Sequence, residues 1–162
     1  MIAKYQRIAL SVRSITAIFW LGFFMAISFM EAPLKFTAPG LSMVEGLQIG
    51  KIIFKSLNTC EWVFLLILFI TCIVKKTTRK GFYLITAVSV ILAVETGWLL
   101  PILDNHANEI IKGGIVIDHN AHWFYIILEV IKAPLLLLIG IESGKMPWKE
   151  NAQIKFGNYA GS

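Results

Sequence analysis

The chain has 162 residues, 57% of them hydrophobic and 15% charged, with a formal net charge of +5 and a mean hydropathy of +0.71. A soluble domain carries about 25% charged residues, so this composition excludes a soluble globular fold and places the chain in a bilayer. The positive balance comes without a basic stripe or a recognisable binding motif, which argues against a nucleic-acid partner.

In chain order, the first apolar run covers residues 14–33, begins beside Arg13 and ends in Glu31-Ala-Pro33. It is too long for a secretory h-region and lacks an A-x-A-like cleavage site, so it is expected to remain as a helix. Residues 40–57 place Leu41, Val44, Gln48, Ile52 and Lys55 at helical spacing. This pattern predicts an outer amphipathic helix between helices one and two, running into the second. Further apolar runs follow at 52–74, 82–103 and 123–141. Each run is close to the ~20 residues that cross ~30 Å of hydrocarbon. Between the last two, residues 104–120 are polar and contain Gly113-Gly114, as expected for a loop capping the bundle. The reading is all-α: a four-helix transmembrane bundle in one integral domain over residues 1–162, with no linker and no solenoid repeat. The shared Ala-Pro-Leu after Glu31 and after Lys132 is too short to establish an internal repeat.

Lysine and arginine set the expected orientation. Lys4, Arg7, Arg13, Lys75, Lys76, Arg79, Lys80, Lys145, Lys149 and Lys155 fall at one end of such a bundle, against Lys35, Lys51, Lys55 and Lys112 at the other. By the positive-inside rule both termini are cytoplasmic, and the expected location is the inner (plasma) membrane. The lipid bilayer is then the first partner, with a second copy of the chain or a larger membrane complex as the protein partners to consider. Cys60 and Cys72 are 12 positions apart on one helix, about 18 Å and far beyond disulfide reach.

The acidic residues carry the functional signal. Glu31, Glu61, Glu95 and Glu129 lie in or at the outer end of successive runs, and Lys132 follows Glu129 by three positions. A charged carboxylate at the centre of a membrane helix costs about 2.5–3.5 kcal/mol on insertion, so such groups are paired, neutral or functional. Glu61 is 14 residues from Lys75 and Glu95 is 14 from Gly81, which puts both about 21 Å from the inner helix ends. His122 and Glu129 are seven apart and share a face with Lys132. Pro134 frees a carbonyl near Lys132 that is a candidate acceptor for its proton. Glu31, Glu61, Glu95, His122, Glu129 and Lys132 are thus expected to line a polar pocket opening outward, where a cation, a proton or a small polar ligand is bound or conducted. Two rival readings stand beside it. The charges form a buried salt bridge fixing helix register in a non-catalytic subunit of a larger complex, or Glu61 and Glu95 perform acid/base chemistry on a lipid-like substrate.

His106, His119 and His122, with Asp104, form a candidate set for a divalent transition metal such as Zn²⁺, Cu²⁺ or Fe²⁺. No HExxH or Glu-x-x-His accompanies them, and Gly-x-Ser-x-Gly, the Walker loop, the dinucleotide fingerprint and Cys-x-x-Cys are all missing.

One stretch resembles a known group. Gly22-x-x-x-Ala26, Glu31-Ala-Pro-x-x-Phe36, Gly46, Gly50, Ile53-Phe54 and Asn58-x-x-Glu61 are similar to the first half of a family of small bacterial four-helix membrane proteins, itself similar to copper-resistance-D-type proteins. The resemblance implies a four-helix inner-membrane protein in which Glu31, Pro33, Asn58 and Glu61 are the positions to watch. It supplies no activity.

Overall fold

A computed structural model describes residues 2–114 and 120–159, with side chains from 4 to 114 and from 120 to 145. Four helices are long and apolar enough to cross a membrane: Lys4–Thr37 (α1), Met43–Val74 (α2), Arg79–Ile111 (α3) and Asn120–Lys145 (α4), the last continuing as helix to Tyr159. No strand occurs among the described residues. This is a multi-pass, all-α membrane protein.

The helices start and stop for local reasons. At the start of α2, Ser42 Oγ accepts from the Glu45 amide and the Glu45 carboxylate accepts from the Ser42 amide, a reciprocal cap that satisfies donors at both residues. Thr78 caps α3 in the simpler way, accepting from the Gly81 amide at 3.0 Å. Gly40 (φ +82°) and Gly113 (φ +85°) take the left-handed conformation in the turns after α1 and α3, where a Cβ is strained. The Ser42–Glu45 cap makes α2 one unbroken helix of 32 residues, about 48 Å long. The stretch predicted as an outer amphipathic helix is therefore the first part of α2 itself. Likewise α3 runs on to Ile111, so the predicted capping loop starts eight residues later than expected and is shorter.

Both α1 and α3 widen into a π turn two residues before a proline: Ala26–Glu31 before Pro33, and Glu95–Leu99 before Pro101. A proline has no N–H for the preceding turn, and a π turn absorbs the missing bond and redirects nearby side chains. α4 carries Pro134 without a break.

The helices alternate in direction. α1 packs closely on α4, where Ser14 Oγ donates to the Gly140 carbonyl at 2.7 Å. A Cβ on Gly140 would sit 2.5 Å from Ile18 Cδ1, so this seam needs the small residue. The apolar core includes Trp20, Phe24, Leu65, Leu68, Val88 and Leu136, while many large aliphatic residues such as Ile15, Leu66 and Val90 face outward. That outer surface suits acyl chains, which solvate it at no hydrophobic cost.

At the basic end, where residues 4, 74–79 and 145 gather, Arg13 is buried. Its guanidinium donates to Thr71 Oγ1 at 3.1 Å, the Thr71 carbonyl at 2.8 Å and the Lys75 carbonyl at 2.7 Å. These carbonyls lie at the C-terminal end of α2, where that of Thr71 also accepts from the Lys75 amide at 3.0 Å, so Arg13 braces the helix terminus with charge-assisted bonds and complements its dipole. Arg13→Met should lower stability by about 2 kcal/mol or more, read as a fall in the melting temperature of the detergent-solubilised protein. Thr71→Val, which keeps both carbonyl bonds, should cost clearly less.

Candidate functional site: a lysine among three glutamates

Lys132, on α4, is fully buried and is the centre of the site. Its ammonium donates to Glu61 Oε1 of α2 at 2.7 Å and to Glu95 Oε2 of α3 at 2.8 Å, and lies 3.3 Å from Glu129 Oε1 on its own helix. Of the three, Glu61 and Glu95 accept hydrogen bonds from the ammonium, and Glu129 pairs with it by charge alone. The described hydrogen bonds of Lys132 go to carboxylates, and none of them goes to the carbonyl freed by Pro134 that the sequence suggested as an acceptor.

Aromatic groups close the site, two of them from α1. Trp20 of α1 donates its indole N–H to Glu61 Oε1 at 2.9 Å, and the Lys132 ammonium stands 5.2 Å from the centre of the Phe24 ring. Tyr125 lies one turn before Glu129 on α4, and its ring meets Phe54 edge-on at 5.7 Å. A small apolar layer of Leu99, Ala121 and Tyr125 covers the site on the side away from the basic end. Glu95 opens the π turn of α3, the local distortion that sets its direction.

Glu61 lies 13 residues from Val74 and 18 from Met43, about 20 and 27 Å from the two ends of α2. Charge is thus buried deep within the bundle, and its balance is incomplete. Three ionised carboxylates around one ammonium leave two negative charges uncompensated. Glu95 Oε1 and both oxygens of Glu129 are buried without a well-formed hydrogen bond. Burial of net charge on this scale is prohibitive unless protons or a further cation complete the balance.

Glu61, Glu95 and Glu129 offer oxygens within 4.8 Å of one another, the grouping of metal-binding side chains that the described residues contain. The donor set is all carboxylate, which suits a hard cation, but Lys132 stands among those oxygens and must move before a metal could sit there.

The other residues singled out from the sequence lie elsewhere. Asn58 is beside the cluster, donating to Thr96 Oγ1 at 2.9 Å, and Trp62 donates to the same hydroxyl at 3.0 Å. Glu31 is not in the cluster; it pairs with Lys35 on α1 at 3.5 Å. Asp104 accepts from Lys51 at 3.0 Å and from Asn108 at 3.2 Å, so both its oxygens are engaged. His106 is partly covered on α3 and His122 is exposed on α4; neither joins Asp104 in a ligand cluster, and His119 lies outside the described residues. The expected outward-opening pocket is not seen at Glu61, Glu95 and Glu129, each of which is 1% exposed. A shallow hollow does occur at the basic end, lined by Lys76, Thr77, Thr78, Arg79, Phe82 and Tyr83.

Sequence reasoning missed Trp20, Phe24 and Tyr125. Trp20 was the tryptophan far from either interface, and Tyr125 precedes Glu129 by four positions. A polar-tipped aromatic at mid-span or one turn from a buried charge is the signal that would have found both.

Removing the central cation should be costly. Lys132→Met leaves three carboxylates facing one another and should destabilise by about 3–5 kcal/mol. Adding Glu61→Gln to Lys132→Met should recover part of that loss, as measured in a double-mutant cycle of thermal unfolding in detergent. Strict additivity of the two changes would remove the ion pair from the account.

No protein-family model matches the chain, and the searches of curated proteins and of solved structures likewise find no match.

Proposed function

We propose that this protein binds and exchanges a proton or a monovalent cation in the membrane at Glu61, Glu95, Glu129 and Lys132, with its basic end in the cytoplasm and the inner membrane as its location. The observation that carries the reading is the surplus of carboxylate over ammonium at one buried point, with three oxygens left without a good donor. A site built only to pin helices together needs one carboxylate per ammonium, and additional buried acids weaken it. A site that loads and releases positive charge needs the surplus. The lysine then acts as a tethered cation: it neutralises the site when the mobile charge leaves and yields when that charge returns.

A second reading is favoured by the closure of the cluster, since three carboxylates surround Lys132 and none of them is open to water. It makes the cluster a fixed pin in a non-catalytic subunit of a larger membrane complex. Lipid-directed acid/base chemistry would need substrate at Glu61 and Glu95, both of which are buried.

Reconstitution into liposomes holding an internal pH-sensitive dye separates the two surviving readings. The wild-type protein should carry protons across under an imposed gradient of pH or of Na⁺ or K⁺. Glu129→Gln should lower the rate at least tenfold with a melting temperature close to wild type. If wild type and Glu129→Gln are both indistinguishable from empty liposomes, the exchange reading fails and the subunit reading takes its place.

A further inference from the structure

Two lysines turn inward in this bundle, and both are held by the same chemistry. Lys132 has carboxylates around its ammonium and the face of Phe24 at 5.2 Å. Lys35 sits in the last turn of α1, among exposed neighbours, where a flexible side chain would ordinarily extend its charge into water. It is instead 9% exposed, its ammonium 3.5 Å from Glu31 Oε2, 5.5 Å from the centre of Phe36 and 5.3 Å from the centre of Phe54. Gly50 of α2 makes room for it: a Cβ there would lie 2.8 Å from Lys35 Nζ. Glu31 Oε2 is buried and has no hydrogen bond, the same unmet acceptor found in the core cluster.

A carboxylate beside two ring faces is a poor seat for metal ions, which call for several oxygen ligands. It suits an ammonium group, whose charge is drawn to the negative face of a ring. Phe54 joins the two places. One side of the residue lies under Lys35, and its ring meets Tyr125, one turn before Glu129 on α4.

We propose that Glu31, Phe36 and Phe54, backed by Gly50, form an outer binding station for a primary ammonium ligand, either the ammonium ion or a small alkylamine. Lys35 is the tethered occupant that the ligand displaces into water. The station stands in series with the core cluster, separated from it by the Phe54–Tyr125 pair. As a station on a route it rests on the cation-exchange reading above, whereas its binding is measured independently of transport.

The test is calorimetric titration of the full chain in lipid nanodiscs with methylammonium chloride, and with NaCl, KCl and ZnCl₂ as comparisons at matched ionic strength. Wild type should bind methylammonium saturably. Lys35→Met should bind it at least tenfold more tightly, and adding Glu31→Gln to that variant should abolish the gain. Phe54→Leu, which keeps an apolar side chain of similar depth, should weaken binding severalfold and serves if Lys35→Met does not fold. The nanodisc titration requires no transport, and the Glu31 and Phe54 variants alter only the outer station, so a silent core in the liposome experiment and a silent outer station are separate results. The proposal is overturned if wild type fails to bind methylammonium, even where Lys35→Met binds it, because that outcome describes a seat emptied by mutation. It is equally overturned if Na⁺, K⁺ or Zn²⁺ binds there as well as methylammonium, or if Glu31→Gln has no effect.

Discussion

The bundle is organised around one ammonium held by three carboxylates from three helices. In water such a pairing contributes little, because solvent screens it and the side chains lose freedom. Between membrane helices, with no hydrophobic drive to bring them together, directional polar contacts decide which helix faces which. Lys132 ties α4 to α2 through Glu61 and to α3 through Glu95, while Trp20 ties α1 to Glu61. All four helices therefore meet at one level, and the surrounding apolar layers pack to the register set there.

The two π turns support this arrangement. Each precedes a proline by two residues, and each contains a glutamate, Glu31 or Glu95, that belongs to an ammonium pair. Regular α-helix would continue each turn in its original direction; the wider turn gives the chain another heading near the point where charge must be placed. At the basic end Arg13 performs a different task with a similar group, bonding to carbonyls at the end of α2. Buried cations are thus used twice for different ends, once for acids and once for backbone.

Much of this was legible from the residues. Hydropathy revealed four helices because each apolar run has the length of a bilayer, and counting along the helices placed Glu61 and Glu95 at one depth. The helix lengths were underestimated because polar residues from 43 to 51 and from 104 to 111 remain helical beyond the apolar runs. Ser42 and Glu45, three positions apart, held the signal for the true start of α2. The position of Glu31 was misread for a physical reason: a carboxylate four residues before a lysine has a partner on its own helix, and Lys35 holds it away from the core. Convergence on Lys132 was less accessible. Helical spacing shows that Glu129 and Lys132 are neighbours, but which face α2 and α3 turn toward them depends on packing by Trp20, Phe24 and the π turn at Glu95.

The place of Lys132 on α4 also bears on biogenesis. Glu61 and Glu95 emerge from the ribosome on earlier helices, and each enters the bilayer before its cation exists. α4 brings its own acid with the base, Glu129 and Lys132 one turn apart, so it inserts closer to neutrality. Synthesis therefore passes through a three-helix stage with two acids awaiting a counter-charge, and the fold closes when the last span arrives. A ribosome stalled before residue 132 would hold an incompletely assembled membrane domain, open to quality control by proteases that recognise polar groups within the bilayer.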